Sequence, residues 1–146
     1  MQSLPQQRRA RQPPPIYQAC DDKLSGWYRF TRGAGNQMAE SCVIEGHCGT
    51  YRPGWLSGIH PSVVEGAVKR TVCFYGPSGC CHYSTEISVR NCGGYYVYRL
   101  RKPPNMQCPF RYCGNGNSPK EVRAIFLFMQ KHRLYENIHD LQWKLS

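Results

Sequence analysis

The residues best equipped for chemistry are nine cysteines, all lying between Cys20 and Cys113. Three chemistries are open to them: disulfide formation, thiolate nucleophilicity and zinc ligation. An odd count leaves one thiol over, or links it outside this chain. Cys80 and Cys81 are adjacent, and a bond between neighbours closes a strained ring, so these two are expected to staple the chain in two directions. Structural zinc sites use close ligand pairs on tight turns. Cys108 and Cys113 are spaced C-x4-C, with His47-Cys48 and Cys81-His82 as further ligands, but the other gaps are long and irregular. A thiolate enzyme needs a histidine base and an orienting group. His47, His60 and His82 are present, yet no nucleophile signature surrounds any cysteine. Carboxylates are few, and Asp21-Asp22 reads as a solvated turn rather than an acid/base pair. The reading is therefore no catalytic residue, no metal and no cofactor.

Disulfides remain, and they bound the compartment. A cysteine-dense segment this small cannot bury enough apolar surface to be comfortably stable alone. Each bridge adds roughly 2–4 kcal/mol by restricting the unfolded chain. Disulfide scaffolds of this kind are extracellular or secreted. Residues 1–18 hold Arg8, Arg9, Arg11 and Pro13-Pro14-Pro15 and no apolar run, so they are not a signal peptide. The chain reads as a fragment of a longer secreted or membrane-anchored protein. No run reaches the roughly 20 apolar residues of a membrane span, so no membrane insertion is expected. The net charge of +10 divides as +3 over residues 1–19, +5 over 20–114 and +2 over 115–146. Charge so spread reads as a soluble basic surface, and no nucleic-acid partner is expected.

Several elements must position these cysteines. Residues 86–92 and 95–100 both alternate, and Gly93-Gly94 between them predicts a hairpin with positive φ at both turn positions. Residues 26–31 (GWYRFT) and 67–75 read as strands, and Gly76-Pro77-Ser78-Gly79 as a turn. Residues 42–66 are rich in Gly and Pro and read as an ordered loop pinned by Cys42 and Cys48, with Trp55 and Leu56 turned inward. Ser118-Pro119-Lys120-Glu121 carries N-terminal helix signals, and Val122, Ile125, Phe126 and Met129 follow at helical spacing. A helix is expected over about 119–133, with a second piece to about 144. The fold class is thus a small, disulfide-rich, mainly β domain with a disordered basic lead (1–19) and a helical appendage (115–146). Tyr95, Tyr96 and Tyr98 lie near Arg99, Arg101 and Lys102 and form a candidate binding surface for a glycan or anionic polysaccharide. On a two-sided hairpin, however, some of those rings must be core.

Cys20-Asp21, GWYRF (26–30), MAESC (38–42), HCGT (47–50), PGWLSGIHP (53–61), GCC (79–81), VRNCGGYYVYRL (89–100) and RYCG (111–114) together resemble the uromodulin-type eight-cysteine domain. The resemblance covers residues 20–114 and neither tail. It implies a non-catalytic extracellular module, often beside growth-factor-like and zona-pellucida-type domains. It further implies bridges Cys20–Cys108, Cys42–Cys80, Cys48–Cys113 and Cys73–Cys81. Cys92 is then the odd thiol or an intermolecular link; in the family its partner lies upstream, on a preceding β-hairpin. Members can display mannose-rich glycans recognised by bacterial adhesins. Here the matching positions read Arg99-Leu100-Arg101 and Ser57-Gly58-Ile59, and no Asn begins a usable sequon, Asn117-Ser118-Pro119 included. That role is not carried over. The expectation is a structural or adhesive module with an extracellular protein or glycan partner and neighbouring domains in a longer parent. The competing expectation is a stand-alone cationic secreted protein that binds anionic glycans or microbial surfaces.

Overall fold

The computed structural model describes residues 18–31, 34–116 and 129–131. Its strands are β1 (Ser25–Phe30), β2 (Arg52–Ser57), β3 (Ala67–Gly76), β4 (Gly79–Asn91), β5 (Tyr96–Arg101), β6 (Phe110–Tyr112) and β7 (Met129–Lys131), and a 3-10 turn covers Val63–Glu65. They form one seven-stranded sheet in the order β6-β2-β3-β4-β5-β1-β7. All pairings are antiparallel except β2 with β6.

Two hairpins organise this sheet. The first joins β3 to β4 through Pro77-Ser78, closed by Gly76 opposite Gly79. The second joins β4 to β5, with Asn91 opposite Tyr96 and Cys92 N–H donating to the Tyr95 carbonyl at 2.8 Å. Gly93 has φ +94 and Gly94 lies outside the left-handed region. Positive φ at the first position alone is the type II′ pattern, so only one glycine is required where two were expected.

Alternation along the strands sets one apolar face. Tyr28, Phe30, Leu56, Val72, Phe74, Ile87, Val89, Tyr98 and Leu100 are buried on it, with Phe110 and Tyr112 from β6. Phe74 meets Phe110 and Tyr112 edge-on, at 5.8 and 5.3 Å between ring centroids, a geometry that ring quadrupoles favour. Irregular chain supplies the covering layer, through Ala34, Met38 and Met106. Such loops have no ladder of their own, so other bonds must hold them down.

The structure departs further from expectation in two other places in the fold. Residues 42–66 are not one loop: β2 runs through them, hidden in sequence by Pro53 and Gly54. Glycine is needed there because a Cβ at position 54 would sit 2.4 Å from the Phe74 ring. Leu56 is fully buried, while Trp55 is half-buried and donates its indole N–H to the Cys80 carbonyl at 2.9 Å. The expected C-terminal helix does not cover 129–131, which pair with β1 as a strand. Backbone pairing along the β1 edge prevails there over helical spacing. The rest of that expected helix, and the basic lead up to residue 17, lie outside the described residues.

Candidate functional site

Disulfides join Cys20 to Cys108, Cys42 to Cys80, Cys48 to Cys113 and Cys73 to Cys81, across sequence separations of 88, 38, 65 and 8. Cys80 and Cys81 each reach a different part of the chain. The Cys108/Cys113 pair considered for zinc has both sulfurs committed to different bridges. Cys92 stands outside these four bridges and is half-buried; it packs, with Tyr95, on the cluster of Trp27 and Val97.

Between two of the bridges lies a buried ion pair that the sequence did not reveal. Asp21 is buried rather than solvated, contrary to the turn expected for Asp21-Asp22; Asp22 is exposed. Its carboxylate accepts the Tyr112 backbone N–H at 2.9 Å and lies 3.6 Å from Arg111 Nε. The Arg111 guanidinium also donates to the Cys48 carbonyl at 3.2 Å. Burial pushes the Asp21 carboxyl up to about 6, against the opposing pull of Arg111. The only signal in sequence was a charged residue near a cysteine at each end of the domain, and that says nothing about burial.

The six residues of the candidate binding surface divide between the two faces of the sheet. Tyr98 is core, and Tyr96 packs against the core. Tyr95 belongs to the opposite face, in the cluster of Trp27 and Val97, with the Arg29 guanidinium 4.7 Å above its ring. Arg99, Arg101 and Lys102 are exposed. Arg99 lies opposite Trp27 on β1 and Ser88 on β4, and Arg101 opposite Ser25. Directly opposite residues share a face. The accessible part of the candidate surface is therefore a cationic strip on β5 and its following turn, with Tyr95 at its margin.

A third cluster lies on the loop between β2 and β3. His60, with a side chain 3% exposed, places Nδ1 against a Glu40 carboxylate oxygen and Nε2 2.7 Å from the Tyr98 hydroxyl. The Tyr98 hydroxyl also accepts the Met38 N–H at 2.8 Å. Hydrogen bonding from His60 holds the Glu40 carboxyl below its usual range, and burial moves the Tyr98 hydroxyl upward. The order carboxylate, imidazole, hydroxyl is that of a general-base relay. Here the hydroxyl belongs to a fully buried tyrosine, so no substrate atom reaches it. On the hairpin tip His82 Nδ1 accepts from the Ser78 hydroxyl at 2.7 Å, and its ring lies over Gly76. Ile59, Val63 and Val64 are exposed on the loop that carries His60, Val64 to 93%. Among the described residues no helix is long and apolar enough to cross a membrane.

This arrangement of strands and bridges has counterparts among known proteins. The family model of the uromodulin-like, eight-cysteine domain matches residues 28–114. Uromodulin of Mus musculus is 48% identical over 101 residues, which is 68% of this chain and 15% of that protein. Pancreatic secretory granule membrane major glycoprotein GP2 is 42% identical over 106 residues in Homo sapiens, 72% of this chain and 19% of that protein. The Rattus norvegicus protein of that name is 42% identical over 122 residues, 81% of this chain and 23% of that protein. The chain thus spans less than a quarter of the length of these relatives.

Proposed function

The chain belongs to the uromodulin-like, eight-cysteine domain family, an extracellular module of mosaic proteins, and from that premise we propose that it is a non-catalytic structural or interaction unit spanning residues 20–114. It serves a secreted or membrane-anchored protein in adhesion or in protein or glycan recognition. The observation that carries this reading is where its reactive groups go. Eight of the cysteines are committed to bridges, and the carboxylate–imidazole–hydroxyl relay ends on buried Tyr98. What remains accessible among the described residues is surface: a cationic strip and an apolar loop. The test presents the immobilised, oxidised protein to a panel of neutral, sialylated and sulfated glycans and of matrix glycoproteins. Saturable retention of one class, lost on reduction, supports the reading. Hydrolysis of a panel member by the protein overturns it.

A second reading has its own observation. Arg99, Arg101 and Lys102 are exposed together on β5 and its turn, which favours a cationic protein that binds anionic glycans or microbial surfaces. Retention on heparin that falls steeply with salt, and that is removed by changing these three residues, supports it. Absence of retention at low salt overturns it.

A further inference from the structure

We propose that Glu40, His60 and Tyr98 form an acid-sensitive latch on the loop of residues 58–66. The latch joins three separate pieces of chain. Met38 and Glu40 lie on the segment between β1 and β2, His60 on the β2–β3 loop, and Tyr98 on β5. Its hydrogen bonds are complete for one protonation state of the imidazole. With the proton on Nδ1, His60 donates to Glu40, Nε2 accepts the Tyr98 hydroxyl, and the Tyr98 oxygen accepts the Met38 N–H. The Glu40 carboxylate accepts the His60 backbone N–H as well, at 3.1 Å. Every polar group in this relay has a partner.

A second proton on His60 enters at Nε2 and meets a donor. The two partners of the Tyr98 hydroxyl would then be the Met38 N–H and the Nε2–H, both of them donors. The Tyr98 hydrogen is left to find an acceptor at a position 0% exposed, and a buried donor without a partner is costly. Glu40 opposes this, since its charge favours imidazolium. Its carboxylate, however, faces Nδ1, which donates in both states, and does nothing for the conflict at Nε2. The other groups packed around the loop are committed elsewhere. The Tyr96 ring lies 4.3 Å from the imidazole. Arg70 on β3 donates to the Ile59 carbonyl and pairs with Glu65, and Asn91 on β4 donates to the Pro61 carbonyl. The conflict is relieved by moving His60 away from Tyr98, which loosens the loop bearing Ile59, Val63 and Val64 while the disulfides stay closed. Passage of an extracellular protein from acidic to neutral surroundings would set the latch.

Hydrogen exchange on the full oxidised chain tests this, at about pH 7.5 and about pH 5, with intrinsic rates corrected. Protection of the amides at 58–66 is expected to fall roughly tenfold in acid, with the amides of β3 and β4 unchanged. His60→Gln and His60→Asn should each flatten that response, since neither side chain takes up the second proton. Should one variant fail to fold, the other carries the test. Equal protection at both pH values in the wild type, or the same acid response in a folded variant, overturns the latch.

Discussion

Two stretches of irregular chain cover the same sheet and are held by different forces. At the β6 end, the segments around Cys20, Cys48 and Cys108–Cys113 are fixed by two disulfides and the Asp21–Arg111 pair. On the β2–β3 loop, residues 58–66 contain no cysteine and are fixed by hydrogen bonds with the side chains of Glu40, Tyr98, Arg70 and Asn91. The first arrangement is locked covalently and fails on reduction, although burial pushes its Asp21 carboxyl up to about 6. The second survives reduction in principle and holds an imidazole between a carboxylate and a hydroxyl. A module exposed to the outside of a cell thus has a covalent end that keeps its shape and a hydrogen-bonded corner that can respond.

The largest effect is expected from breaking the covalent end's ion pair. Arg111→Met leaves Asp21 buried without its counter-charge and should cost roughly 3–5 kcal/mol near pH 7.5. The deficit should shrink in acid. The Asp21 carboxyl is pushed up to about 6 in the native state by burial, so its stability contribution is full below the ordinary carboxylate range and is lost as pH rises through about 6. Removing Arg111 moves that carboxyl further up. Denaturant melts of both proteins at several pH values check the sign; a deficit that grows in acid contradicts it.

Replacing Cys48 and Cys113 together with serine should cost roughly 2–4 kcal/mol by releasing the unfolded chain, with no dependence on pH. Equilibrium unfolding gives the number, and a pH-dependent loss would blur the contrast between the two regions. Tyr98→Phe acts on the other region and should cost roughly 1–3 kcal/mol, since the Met38 N–H and His60 Nε2 both lose their partner inside the core. A neutral result would mean that the corner is held by packing alone. Changing Arg99, Arg101 and Lys102 to glutamine should leave stability within about 0.5 kcal/mol while abolishing any heparin retention. A matching loss of stability would place these side chains in the scaffold rather than on its surface.

How much of this was legible in the sequence follows from the range of each interaction. The β4–β5 hairpin was readable because turn and alternation lie side by side around Gly93-Gly94; at Gly76-Pro77-Ser78-Gly79 the turn was readable, but not the strand that begins at Gly79 and pairs with β3. The strand over residues 26–31 was readable from its β-rich composition, and it buries Trp27 and Phe30. β2 was not readable, because Pro53 and Gly54 look like loop residues until Phe74 is seen to need the space over Gly54. Asp21 looked solvated because its partners, Arg111 and Tyr112, lie about 90 positions away. His60 stood out as a histidine, but its role depends on Glu40 and Tyr98 arriving from two other parts of the chain. The split of the tyrosines between two faces was implied by alternation, and which of them stay accessible was settled only by what packs on each side.

Central to this account is a module held by four specific bridges, three of them anchoring irregular covering chain and Cys73–Cys81 tying β3 to β4. The most direct test is peptide mapping of the oxidised, non-reduced protein after alkylation. The account predicts linked peptides for Cys20–Cys108, Cys42–Cys80, Cys48–Cys113 and Cys73–Cys81, with Cys92 in none of them. Alkylation of all nine cysteines in correctly folded protein, or a different set of linkages, would contradict it.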